Sequence, residues 1–202
     1  MSSEQAGDVT SDYYALMGLP VSLSLESKTV DEAWRTKTRV VHPDLKADGT
    51  SGDETTENAA GLNEARRILS DPLLRLEHWL DLKIAGFPRA TAIDEDLLCL
   101  FSEVNAALAR ADDLIQKRAA TTTELGKAVL AGDAVSAQLA VQDLLGSLRK
   151  KSAEIVDQFS AFEAAGDRGD YDPGVRALGR LTFLKKWERE GQKRLLDLIA
   201  IA

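Results

Sequence analysis

Hydrophobic residues recur at helical spacing along most of the chain, and no stretch shows the alternation expected of a strand. Near the N-terminus, the short apolar sequence DYYALMGL predicts a brief helix or turn. A helix is predicted over residues 29–41, and Pro43 ends it, because a residue that precedes proline is pushed out of the helical region. The next helix carries one apolar face and stops at Asp71-Pro72; that face consists of Leu62, Ala65 and Leu69.

Beyond residue 96 the apolar positions form seams with alternating steps of four and three residues, which is the pattern of helices that pack at shallow angles. The three seams run through Leu97, Phe101, Val104, Leu108, Ala111 and Ile115; through Val141, Leu145, Leu148, Ile155, Phe159 and Phe162; and through Leu181, Leu184, Gly191, Leu195 and Leu198. Turns are predicted at AGD, residues 131–133, and within residues 164–174. The sequence therefore predicts an all-α protein whose second half is a three-helix antiparallel bundle.

The boundaries between these parts follow from changes in composition. Residues 1–11 are polar and acidic and predict a disordered tail, residues 12–83 form the first helical domain, residues 84–96 read as a linker, and residues 97–202 form the bundle. The N-terminus does not resemble a signal peptide, and no apolar run is expected to span a bilayer, so no membrane partner is predicted. Cys99 is the single cysteine, which excludes an intrachain disulfide and favours a cytoplasmic protein.

Charge limits the classes of partner. The 202 residues carry a net charge of −8, which argues against nucleic acid as the main partner, because binding to phosphates requires a dominant basic surface. Basic residues are nevertheless concentrated between Lys28 and Val41, where Arg35, Lys37 and Arg39 occupy every second position. A local basic strip on an acidic protein can steer an acidic partner, and it can also be an ordinary solvated helix face.

Residues with the spacing of a catalytic or metal site are missing from the sequence. Two histidines and one cysteine, far apart, give no set of metal ligands, and there is no glycine-rich phosphate loop or nucleophile elbow. We therefore predict no metal, no cofactor and no enzymatic activity. The alternative from another class is an all-helical enzyme or a passive scaffold, in which Arg176 and Arg180, one turn apart, would grip a carboxylate.

The order of several short motifs resembles the J-domain of DnaJ-type co-chaperones. In that family an aspartate-tyrosine start precedes a leucine-glycine pair, a basic helix, a His-Pro-Asp loop and a helix with the pattern Asn-x-Ala…Leu-x-Asp-Pro. The matching residues here are Asp12, Tyr13, Tyr14, Leu16, Gly18, Arg35 through Arg39, His42, Pro43, Asp44, Asn63, Ala65, Leu69, Asp71 and Pro72. The resemblance implies that residues 12–83 fold as a J-domain built around a helical hairpin.

The arrangement of the whole chain narrows this resemblance. A helical bundle follows the J-domain through the junction DPLLRLEHWLDL, without Gly/Phe-rich or cysteine-rich segments, and RLTFLKKWEREGQKRLLDL closes the chain. This organisation is similar to that of HscB, the J-type co-chaperone family of iron–sulfur cluster assembly. The resemblance implies a co-chaperone that stimulates a DnaK- or HscA-type ATPase and delivers to it the scaffold protein IscU.

The same resemblance assigns roles to two groups of residues. His42, Pro43 and Asp44, with Arg35, Lys37 and Arg39, would dock on the chaperone ATPase, and Pro43 would hold the shape of the loop. The client would bind to Leu98, Cys99, Ser102, Glu103, Ala106 and Phe183. The family favours methionine or leucine at positions 99 and 102 and acids at 100, 103, 106 and 110, of which this chain keeps only Glu103. A J-domain co-chaperone with a different client is therefore a second hypothesis.

Overall fold

A computed structural model describes residues 12–41, 52–88 and 95–201. Across these ranges the chain forms eight α-helices and no strand, so the predicted all-α class is confirmed. The helices are α1 (Tyr13–Met17), α2 (Ser27–Val41), α3 (Gly52–Ser70), α4 (Pro72–Lys83), α5 (Glu95–Ala120), α6 (Glu124–Val156), α7 (Phe159–Gly166) and α8 (Asp172–Ile201).

The chain forms two compact units, which are not contiguous in sequence. The first comprises Met1–Pro88 together with Phe159–Val175, and the second comprises Arg89–Gln158 with Arg176–Ala202. The domain bounds stay a prediction, and the structure adds that residues 159–175 pack with the first unit. Trp79 of α4 contacts Tyr171 with ring centroids 5.7 Å apart. A Cβ atom at Gly166 would lie 2.7 Å from Cη2 of Trp79, so the indole fits only against a glycine.

The core of the first unit joins α1, α2 and α3. It consists of Tyr14, Met17, Val30, Leu62, Ala65 and Leu69, all buried. Helix α1 is short because it is capped at both ends. Asp12 Oδ1 accepts hydrogen bonds from the backbone amides of Tyr14 and Ala15 at 3.0 and 3.1 Å, and Gly18 ends the helix with φ of 68°, a conformation that favours glycine.

The second unit is built by α5, α6 and α8. One cluster joins Leu97, Leu100, Val104, Leu148, Leu184 and Trp187, and another joins Ala111, Leu114, Ala137, Val141, Leu145 and Leu198. Residue numbers rise together along α5 and α8 from the first cluster to the second, while those of α6 fall. Helix α6 is therefore antiparallel to both neighbours, as the seams predict.

Two details of the predicted bundle are wrong. The sequence AGD at residues 131–133 is not a turn, because α6 runs through it, and the reversal lies at residues 121–123. There, Thr123 Oγ1 accepts a hydrogen bond from Gly126 N at 3.2 Å and begins α6. The burial of Ala134 and Ala137 in the bundle offsets the cost of a glycine within the helix. The second seam also ends early, since Phe159 and Phe162 belong to α7 and to the first unit.

Part of the second half is more apolar than expected from the sequence. Among the described residues, one stretch, Glu124–Gly166, contains a window of 18 residues with a mean hydropathy of 1.2 that passes as a membrane span on length and composition. Only 22% of this window is buried. Core helices of soluble proteins pass the same test, so the criterion alone carries little weight.

Candidate interaction surfaces

Helix α2 presents the basic residues of the first candidate surface. Arg35, Lys37 and Arg39 are all exposed. Arg35 and Arg39 are four residues apart and share one face, whereas Lys37 lies about 160° or more around the helix from both. Lys37 instead reaches towards the end of α1, where its Cε would lie 3.4 Å from a Cβ at Gly18. The structure thus brings Arg35 and Arg39 together and places Lys37 on another face.

Contacts with α3 fix the rotation of α2. Trp34 Nε1 donates a hydrogen bond to Asn63 Oδ1 at 3.1 Å. The guanidinium of Arg66 lies 4.3 Å from the centroid of the Trp34 ring, and its Nε donates to Asp31 Oδ1 at 2.8 Å. Val30 is fully buried on the same side of α2. These contacts direct the face that carries Arg35 and Arg39 towards solvent.

The motif Asn-x-Ala…Leu-x-Asp-Pro has a structural explanation in this fold. Asn63 holds Trp34, and Ala65 and Leu69 are fully buried in the first core. Asp71 begins α4, since its Oδ1 accepts hydrogen bonds from the amides of Leu73 at 2.8 Å and Leu74 at 3.2 Å. Pro72 occupies the first turn, where the missing amide proton costs nothing. These residues therefore build the frame that supports α2.

His42, Pro43 and Asp44 lie outside the described residues. Helix α2 extends to Val41 and α3 begins at Gly52, so the segment 42–51 joins the end of the basic helix to the helix that braces it. The exposed basic residues therefore come immediately before the His-Pro-Asp sequence along the chain. The roles of His42, Pro43 and Asp44 stay predictions.

The first unit contains a buried histidine, His78. His78 Nε2 accepts a hydrogen bond from Tyr13 N at 3.2 Å, which requires a neutral ring with its proton on Nδ1. The ring stacks on Tyr14, with centroids 5.5 Å apart. Burial lowers the pKa of His78, although Asp12 and Asp81 act in the opposite direction, and burial also raises the pKa of Tyr14. This histidine is a structural acceptor in the core.

The predicted client-binding residues of α5 share one exposed face. Leu98, Cys99, Ser102, Glu103 and Ala106 are all exposed, whereas Leu97, Leu100 and Val104 face the core. The sixth predicted residue, Phe183 on α8, is half-buried and packs on Trp187 with centroids 5.8 Å apart. Exposure is a condition for binding a partner, and the roles of these six residues stay predictions.

The structure adds Phe101 to this surface. The seam prediction places Phe101 in the core, but 49% of this residue is exposed and Leu100 is buried in its place. Phe101 packs on Trp187 at 6.1 Å, so this indole is shared with Phe183. Steps of three and four residues from Leu97 suit Leu100 and Phe101 equally well, and packing against α6 and α8 decides between them. Leu98, Phe101 and Phe183 form the client patch, the name used below.

A small polar cavity lies close to the start of α5 in the second unit. It has a volume of about 130 Å³, well below that of a typical small-molecule site, and its walls carry both signs of charge. Arg180, the residue considered for carboxylate binding, forms an ion pair with Asp96 at 3.6 Å. In the described part of the chain no three metal-binding side chains cluster. The enzyme hypothesis gains no support from this geometry.

Several curated proteins are similar in sequence to this chain. No family model matches the chain. A co-chaperone protein HscB homolog from Cupriavidus taiwanensis is 29% identical over 181 residues, which cover 89% of this chain and 90% of that protein. Another, from Bordetella avium, is 38% identical over 69 residues, which cover 33% of this chain and 41% of that protein.

The fold gives an independent comparison. The crystal structure of human co-chaperone protein HscB superposes with a TM-score of 0.65 at 21% identity, over 94% of this chain and 84% of that one. The chain therefore has the fold of that structure, and its curated relatives are named co-chaperones. Relatives that cover most of its length are named HscB homologues, so the chain is similar to HscB over most of its length, and the resemblance predicted from the sequence is confirmed.

Proposed function

We propose that this protein stimulates the ATPase of a DnaK- or HscA-type chaperone and delivers to it an IscU-like scaffold for iron–sulfur cluster assembly, in the cytoplasm. One observation supports the proposed stimulation of the ATPase. Arg35 and Arg39 are exposed on the second half of α2, a few residues before His42-Pro43-Asp44 in the sequence. The relatives named HscB homologues support a co-chaperone role, and the choice of chaperone and client rests on the resemblance of the sequence to that family.

The mechanism of stimulation would be electrostatic docking followed by selection of one chaperone state. Arg35 and Arg39 would attract an acidic surface of the ATPase domain, while the acidic remainder of the protein repels other acidic partners. Pro43 lacks an amide proton and has a fixed φ, so little entropy is lost when the loop docks. His42 and Asp44 would then favour the hydrolysis-competent arrangement through differential affinity.

A coupled ATPase assay with the purified chaperone tests this step. His42→Gln is expected to abolish stimulation without altering the helical content measured by circular dichroism. Arg35→Ala/Arg39→Ala is expected to raise the half-maximal concentration of the co-chaperone about tenfold. Lys28→Ala is the matched control, since Lys28 lies on the same helix but pairs with Glu32 at 3.8 Å. Normal stimulation by the His42→Gln variant would contradict the proposal.

The client patch suits an apolar surface on the delivered protein. Leu98 and Phe101 project from α5, and Trp187 anchors both aromatic rings of the patch in the bundle. Leu98→Ala and Phe183→Ala are expected to weaken IscU binding in a calorimetric titration, while Leu196→Ala, which truncates an exposed leucine elsewhere on α8, has no effect. If all three variants bind IscU with the same affinity, the client patch is not part of the binding site.

A second candidate is a J-domain co-chaperone with another client. Cys99, Ser102 and Ala106 occupy positions where the family favours apolar or acidic residues, and Phe101 extends the apolar surface. Retention of the wild-type protein on immobilised IscU supports the first candidate. Failure to bind IscU, combined with normal stimulation of the chaperone, supports the second.

A further inference from the structure

Helix α8 carries a row of basic side chains on its solvent face. Lys186, Arg189 and Lys193 are all exposed, and their spacing of three and four residues places them within an arc of about 60° around the helix. In the described part of the chain, none of the three forms an ion pair with an acidic side chain. We call these three residues the α8 strip. It is a local positive surface on a protein whose net charge is −8.

The acidic residues of the same helix are engaged elsewhere. Glu188 pairs with Arg149 of α6 at 2.7 Å, and Glu190 pairs with Arg194 at 2.7 Å. Asp197 is the next acid along the helix, and it forms no ion pair with the α8 strip. The positive charges of the α8 strip are therefore not compensated by the described residues of the bundle.

The α8 strip is unfavourable for the isolated protein. Lys186 and Arg189 are three residues apart and Arg189 and Lys193 are four apart, so like charges are neighbours on one helix face and repel each other. Elsewhere on α8 the same spacing is used for opposite charges, as in the pair of Glu190 with Arg194. An acidic surface that approaches the α8 strip would offset this repulsion and add favourable charge pairs.

The α8 strip adjoins the client patch. Lys186 follows Phe183 by three residues and lies about 60° from it around the helix. Phe183 packs on Trp187, which also contacts Phe101 of α5. Glu103, the acid among the predicted client-binding residues, lies about 160° around α5 from Phe101 and is therefore directed away from α8. On its α8 side, the client patch is thus bordered by positive charge.

We propose that the α8 strip is the charged rim of the client site, and that it binds a cluster of carboxylates on the delivered protein, beside the apolar surface that meets the client patch. This inference rests on the proposed function. An apolar centre with a polar rim is the usual anatomy of a protein–protein interface. A compact acidic cluster suits three charges on two turns of helix, whereas a nucleic acid requires the dominant basic surface that this acidic protein lacks.

Association and dissociation rates with purified IscU test the α8 strip, because rim charges act mainly on the rate of encounter. Lys186→Glu and Lys193→Glu are each expected to lower the association rate constant at least about fivefold in about 0.05 M NaCl, with little change in the dissociation rate. In about 0.5 M NaCl, screening is expected to narrow the difference from the wild type to about twofold or less. Lys186→Arg keeps the charge and is expected to bind like the wild type.

Lys150→Glu is the matched control. It makes the same change in net charge at an exposed lysine of α6, about 100° around that helix from Arg149, the residue that faces α8. Its association rate is expected to stay within about twofold of the wild type. Circular dichroism checks that every variant is folded.

The outcomes separate this inference from the proposed function. If the α8 strip variants associate as fast as Lys150→Glu while Leu98→Ala still weakens binding, the α8 strip is not part of the client site and the proposed client stands. If the wild-type protein does not bind IscU, both the proposed client and the role of the α8 strip are wrong. Binding to phosphatidylglycerol vesicles that is lost in Lys186→Glu, with unchanged IscU kinetics, would assign the α8 strip to a lipid surface instead.

Discussion

Glu163 on α7 holds the loop between α1 and α2. Leu23 N donates a hydrogen bond to Glu163 Oε1 at 2.6 Å, and Ser24 Oγ donates to Oε2 at 3.1 Å. Leu23 itself is fully buried, so its amide has no access to water. A residue about 140 positions away in sequence therefore satisfies a buried donor in the loop that leads into the basic helix.

The structure gives the size of the effect expected on Glu163→Ala. An unsatisfied buried amide costs about 1–3 kcal/mol, and the bond lost here is charge-assisted and short. The bond to Ser24 is exposed and adds about 0.5 kcal/mol. We expect the free energy of opening at Leu23 to fall by about 2–3 kcal/mol. Glu163→Gln keeps an amide oxygen as acceptor and is expected to cost about 1 kcal/mol.

Amide hydrogen exchange followed by NMR measures this opening locally. The predicted loss corresponds to exchange at Leu23 that is roughly 30- to 150-fold faster in Glu163→Ala, with Glu163→Gln between this variant and the wild type. Asp167→Ala removes the same charge from an exposed position just after α7 and is expected to leave Leu23 unchanged. Exchange in Glu163→Ala within about threefold of the wild type would show that the Leu23 amide finds another acceptor, and the reasoning would fail.

Three further predictions concern other contacts. Burial lowers the pKa of His78, so the unfolded state binds protons first as the pH falls. The free energy of unfolding should therefore decrease from about pH 7 to pH 5, by at most about 1.4 kcal/mol per pH unit, and urea titrations should show a weaker dependence in His78→Gln than in the wild type. An equal dependence in both proteins would contradict this reasoning. Arg66→Met removes a half-exposed ion pair and a cation–π contact and should lower the free energy of unfolding by about 1 kcal/mol in urea denaturation, whereas Arg168→Met, in an exposed turn, should not. Phe101→Ala should reduce client affinity in calorimetry without the loss of stability that Trp187→Ala causes, because Phe101 is half exposed and Trp187 is buried. If both variants lower the free energy of unfolding equally, Phe101 is a core residue and the assignment to the client patch is wrong.

Local patterns predict the helices of this protein well because they depend on neighbouring residues. Asp71-Pro72 begins α4 through contacts within three residues, and Gly18 ends α1 through its own backbone angle. The exposure of Leu98 and Cys99 also follows from helical spacing to the buried Leu97. These features require no knowledge of distant parts of the chain.

Features decided by tertiary contacts were not predictable in this way. The sequence AGD has the composition of a turn, yet the packing of Ala134 and Ala137 carries α6 through it. The choice between Leu100 and Phe101 depends on where α6 and α8 lie, and both are apolar residues one position apart. The contact between Glu163 and Leu23 joins residues far apart in sequence, for which spacing holds no signal.

The placement of residues 159–175 in the first unit has a consequence for synthesis on the ribosome. When Pro88 leaves the exit tunnel, Trp79 still lacks Tyr171 and the buried amide of Leu23 still lacks its carboxylate. A further 87 residues must be translated before Val175 is available, which takes on the order of 4–17 s at bacterial rates. The first unit of the nascent chain is therefore incomplete for this interval, and a genetic fragment that stops at Pro88 should be cleaved by proteases at sites that the full chain protects.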